Sequence, residues 1–130
     1  MRVQAAAMLP VPPDRAWAFL LRWEEQARWM PDADSVRVLT RRREGVGTWI
    51  AVRTRVLHVP LFTEELEVVR WEPPRRMDLA HRGPVRGRGT WELSEARGGT
   101  RLTWTEELEL PVPLFGELAL IAYRPFLRRL

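Results

Sequence analysis

The segment Arg88–Leu110, RGTWELSEARGGTRLTWTEELEL, constrains the fold more than any other part of the chain. Two alternating stretches, 88–95 and 100–110, flank Gly98-Gly99. In the first, Gly89, Trp91 and Leu93 share one parity. In the second, Leu102, Trp104, Leu108 and Leu110 do, together with the acid Glu106. Period-two alternation about a Gly-Gly turn predicts a β-hairpin with one apolar face. An acid on that face must be neutralised, paired or kept in a wet cavity, because a bare buried carboxylate is costly. The hairpin therefore implies a sheet that wraps a space. A bulge after Trp104 would instead turn Glu106 out to solvent, so both placements stay open.

Other strands are expected at 3–9, 35–43, 47–58, 62–72 and 76–82, punctuated by Pro60, Pro73-Pro74 and Gly83-Pro84. Short connections favour antiparallel neighbours. After Pro10-Val11-Pro12-Pro13-Asp14, the residues Ala16, Phe19, Leu20, Trp23, Ala27 and Met30 fall at helical spacing, predicting one or two short helices. From Leu114 to Leu130 a helical pattern returns, apolar around most of its circumference, which predicts enclosure. Pro125 should kink it, since it cannot donate to the Ile121 carbonyl, and we expect the segment beyond Ile121 to edge the pocket mouth. The order of strand, short helices, six strands and long helix is an α+β arrangement. At 130 residues the chain is read as one domain, 1–130.

The absence of cysteine excludes disulfides, thiol nucleophiles and cysteine-bound zinc. No apolar run reaches the roughly 20 residues of a membrane helix, and the N-terminal segment is too weakly apolar for a signal peptide. We therefore expect a cytoplasmic protein without integral membrane association. All 21 basic residues are arginine, and asparagine is absent. Lack of Asn and Cys fits a thermophile, although the arginine-only usage points to genomic bias. The net charge of +4 is modest, and acids interleave the arginine clusters, so neither DNA nor RNA binding is favoured. Of the two histidines, His58 and His81, neither has acids spaced for a metal site. His81 shares parity with Met77 and Leu79, which would bring it to a cavity rim, but no neighbouring sequence marks a base with an orienting partner. Trp17, Trp23 and Trp29 read as packing residues, whereas Trp91 and Trp104 on the inner face are better placed for a ligand. No phosphate loop, Ser-His-Asp pattern or cofactor fingerprint is present, so we expect no cofactor, metal or catalytic residue.

The motifs PVPPDRAWAFL, WMPDADSVRVL, VVRWEPPRRM and RGTWELSEARGGTRLTW, in this order, resemble the START-like superfamily, and within it the polyketide cyclase/dehydrase and coenzyme-Q-binding branch. The resemblance spans nearly the whole chain and is carried by structural signatures such as Pro73-Pro74, the Trp91 strand and Gly99-Thr100-Arg101. It implies the helix-grip fold: a seven-stranded curved antiparallel sheet wrapped around a long C-terminal helix, two short helices after the first strand, and a hydrophobic cavity between sheet and helix. The expected ligand-binding residues are Ile50, Val52, Leu66, Val68, Met77, Leu79, Trp91, Leu93, Trp104, Glu106, Leu118, Ile121 and Ala122. The expected ligand is an apolar or aromatic small molecule, lipid, polyketide or quinone-like, bound without catalysis. Two rival readings are a polyketide aromatase/cyclase-type enzyme and a ribosome- or RNA-associated module like the toxin-like members of the branch.

Overall fold

A computed structural model describes residues 2–29, 33–56, 59–83 and 86–109. After strand β1 (Arg2–Leu9) come helix α1 (Pro13–Leu20), a 3-10 turn (Trp23–Glu25) and helix α2 (Gln26–Trp29). Six strands follow: β2 (Ala33–Val38), β3 (Trp49–Val56), β4 (Val59–Glu72), β5 (Arg76–Arg82), β6 (Arg86–Ala96) and β7 (Gly99–Leu108). They form a single antiparallel sheet in the order β1-β7-β6-β5-β4-β3-β2, so only β1 is out of sequence, crossing over to pair with β7. The expected α+β class and curled seven-stranded sheet are present. The expected C-terminal helix, with Leu118, Ile121, Ala122 and the Pro125 kink, lies outside the described residues, as does His58.

Helix α1 begins where Pro12 and Pro13 preset the backbone, and Asp14 adds an acid at the positive end. Its buried residues Ala16, Trp17 and Leu20 face the sheet. The apolar stripe does not run on as one helix. α1 stops at Leu20, and the Gln26 side chain donates to the Leu20 carbonyl at 2.8 Å, satisfying a backbone acceptor that the helix end leaves open. Gln26 is consequently buried, while Trp23 donates its indole N–H to the Arg43 carbonyl at 2.9 Å.

Strand boundaries differ from expectation mainly at β2, which ends at Val38 rather than Arg43. The following loop is held by its own polar groups: the Thr40 hydroxyl donates to the Arg42 carbonyl, and Arg42 donates to the Val46 carbonyl. A side chain that satisfies nearby backbone groups competes with the strand ladder. The core lies on the concave face, where Ala5, Leu9, Ile50, Val68, Met77, Leu79, Leu93 and Leu102 meet Ala16, Trp17, Leu20 and Trp23 from the helices.

The β4–β5 register slips between Val68 and Arg70. Glu64, Leu66 and Val68 share the concave face before the slip, and Trp71, opposite Met77, takes it up afterwards. The Trp71 ring then meets Trp17 edge-on, with centroids 5.1 Å apart. Among the described residues no helix is long and apolar enough to cross a membrane.

Candidate functional site

Both neighbours of β7 pair with it without a break in register, so the parity read from the sequence survives along the strand. Trp104 and Glu106 therefore point the same way, and the Trp104 indole N–H donates to Glu106 Oε1 at 2.9 Å. The bulge that would have turned Glu106 outward is absent. Trp91, opposite Trp104 in the ladder, stacks on it with centroids 4.6 Å apart and planes 11° from parallel. Trp29 from α2 stands nearly perpendicular to Trp91 at 6.2 Å. The packing residue Trp29 thus completes a row of three indoles. Its Nε1 is the only side-chain nitrogen or oxygen among the described residues found buried without a hydrogen-bond partner.

The second oxygen of Glu106 reaches across two strands. His81 on β5 bonds Glu106 Oε2 through Nε2 at 2.8 Å, and Glu64 Oε1 on β4 through Nδ1 at 2.8 Å. β5 and β7 are about 10 Å apart, since each strand spacing is about 4.8 Å, so the bridge passes over β6. Gly89 leaves the room that the Glu106 carboxylate takes over this strand, while Gly87 is required by backbone contact. Gly87 lies opposite His81, and Gly89 lies opposite Glu106. A Cβ on Gly89 would fall 2.7 Å from Glu106 Oε1, and one on Gly87 2.1 Å from the Glu107 carbonyl oxygen. The glycine-bearing strand is the floor on which the Glu64–His81–Glu106 row lies.

The row is largely desolvated, with side-chain exposures of 14%, 9% and 16% for Glu64, His81 and Glu106. Burial alone would favour the neutral imidazole, but the hydrogen bonds and charges of Glu106 and Glu64 outweigh it and raise the His81 pKa to about 10. His81 is therefore an imidazolium at neutral pH, and each ring nitrogen donates to a carboxylate. Among the described residues no group of three or more acidic, histidine or cysteine side chains is arranged to hold a metal ion.

Around this row, the expected residues Ile50, Val68, Met77, Leu79, Trp91, Leu93 and Trp104 are buried in the concave core, with Val52 and Leu66 partly buried against it. Leu66 sits directly opposite His81, and Val52 opposite Glu64, which ties the apolar set to the polar row. Glu64 is absent from the sequence expectation. Its signal was its parity with Leu66 and Val68, masked by the neighbouring acids Glu65 and Glu67. Open surface grooves lie elsewhere, one of about 420 Å³ beside Trp17 and Trp71 and one of about 310 Å³ beside Pro12 and Gly98; neither is lined by an expected ligand-binding residue.

On the convex face several arginines are paired. Arg76 and Arg88 clamp Asp78, Arg82 pairs with Glu67, Arg70 with Glu72, and Arg53 with Asp34. Arg53 is exposed.

The family model for polyketide cyclase / dehydrase and lipid transport matches residues 1–130. No curated protein matches the chain. Similar solved structures include a Chromobacterium violaceum protein, 15% identical, with 99% of this chain and 96% of that one covered at a TM-score of 0.75. A START superfamily protein from Mycobacterium smegmatis is 13% identical, with 86% and 80% covered and a TM-score of 0.69. The Aha1 dimer from Colwellia psychrerythraea is 13% identical, with 98% and 90% covered and a TM-score of 0.70. At these identities the likeness is one of fold.

Proposed function

The chain belongs to the polyketide cyclase/dehydrase and lipid transport family, and we propose that it binds an apolar or aromatic small molecule against the concave face of its sheet, without catalysis. The observation that carries this reading is the Glu64–His81–Glu106 row set among apolar side chains on that face. An apolar site with a few convergent polar groups is how small-molecule pockets fix orientation. Affinity comes mainly from apolar area, at about 25 cal/mol per Å² removed from water.

A histidine held by carboxylates also resembles the base of an enzyme, which is the rival reading. A general base works best with a pKa near the operating pH and needs a free lone pair. His81 has neither, because both ring nitrogens donate to glutamates and its pKa is raised to about 10. Binding therefore accounts for the row better than proton transfer does.

Titration with the neutral hydrophobic dye Nile red tests the reading. The expected result is saturable one-to-one binding with energy transfer from the tryptophans. A linear, unsaturable rise in emission would contradict it.

A further inference from the structure

The polar row has an unusual inventory. Both N–H groups of the His81 ring are taken by Glu64 and Glu106, and the Trp104 N–H is taken by Glu106. No donor is left over. Acceptors are: Glu64 Oε2 takes no hydrogen bond from any described residue, and each remaining carboxylate oxygen has a spare lone pair. The charge is also unbalanced. Among the described residues the ion-pair partner of both glutamates is His81, so two carboxylates share one imidazolium and the row carries a net charge of about −1.

We infer that the ligand of this site carries a hydrogen-bond-donating cation, so that an apolar or aromatic amine, bound as its ammonium, is preferred over a carboxylic acid of the same size. The inference rests on the binding reading above and specifies the ligand's polar end. An ammonium supplies three donors to a row that has only acceptors, and brings the buried charge to zero. Beside the glutamates a carboxylate would add a second uncompensated negative charge and find no donor in the polar row to receive it. At the far end of the indole row the orphaned Nε1 of Trp29 is a donor that an acceptor elsewhere on the ligand would satisfy.

The test uses three probes of equal chain length, n-decylamine, n-decanol and decanoate, competing with Nile red at pH 7.5. The expected result is displacement by decylamine at a concentration lower than decanoate by about tenfold or more, with decanol between them. In Glu64→Gln and Glu106→Gln the amine-to-acid ratio should fall towards one. Equal or better competition by decanoate overturns the inference while leaving the binding reading intact. So does an amine preference unchanged in both variants. Absence of saturable dye binding removes the binding reading, and the inference with it. Should either variant fail to fold, the His81 ring nitrogen signals of the unaltered protein decide: movement on adding decylamine supports the inference, and unmoved signals overturn it.

Discussion

Strand β5 carries two buried charged groups three residues apart, Asp78 and His81, on opposite faces of the sheet and with opposite signs. On the convex face Asp78, fully buried, is clamped by Arg76 at 2.9 Å and Arg88 at 2.6 Å, one acid between two bases. On the concave face His81 lies between Glu64 and Glu106, one base between two acids. The partners differ in a way that sets their roles. Arg76 and Arg88 keep 31% and 50% of their side chains exposed, so water screens the excess charge. The glutamates keep only 14% and 16%. The convex cluster is complete in itself, whereas the concave cluster holds its excess charge away from water and towards the space where a ligand is proposed.

The largest expected break in this comparison is His81→Leu. It leaves two buried carboxylates facing each other without a cation, and removing one member of a buried ion pair costs about 3–5 kcal/mol. Chemical denaturation at neutral pH should show that loss.

The pH dependence of the unaltered protein separates the two clusters next. The folded pKa of His81 is raised from 6.5 to about 10, so its contribution is fully present below about pH 6.5 and is lost as pH rises towards 10. For Asp78, burial opposes ionisation, but the hydrogen bonds from Arg76 and Arg88 prevail and hold its pKa below the ordinary value. Its contribution is therefore present above the ordinary carboxylate range and lost only as pH falls below it. Stability should decline on the alkaline side at up to about 1.4 kcal/mol per pH unit, and His81→Leu should flatten that arm while leaving the acid arm in place.

Asp78→Asn should cost less than His81→Leu, about 1–3 kcal/mol, because the exposed arginines regain water when their partner weakens. Gly89→Ala is expected at about 1–2 kcal/mol: its Cβ would fall 2.7 Å from Glu106 Oε1, and the carboxylate must move. That variant should also weaken dye binding, which Asp78→Asn should leave unchanged.

These residues show where the sequence was legible. Trp104 lies where local alternation put it, and Glu106 takes the inner of the two placements left open, because β7 keeps register with both neighbours. Trp71 could not be placed, because the slip between Val68 and Arg70 exchanges faces along β4, and nothing in VVRWE announces it. His81 was placed at the rim by parity with Met77 and Leu79, but its partners come from β4 and β7, which only the sheet order brings beside β5. Glu64 was hidden in an acid-rich strand that reads as solvated. Gly89 could be read only as sharing the inner parity of Trp91 and Leu93, and the room it leaves for Glu106 appears only once the strands are side by side.

The most direct measurement is an NMR pH titration of the His81 ring nitrogens, assigned against the His81→Leu variant. The expected result is an imidazolium with two hydrogen-bonded N–H groups that persists through pH 8 and titrates at about 10. A midpoint at or below the ordinary histidine value of about 6.5, with one ring nitrogen unprotonated at neutral pH, would contradict it.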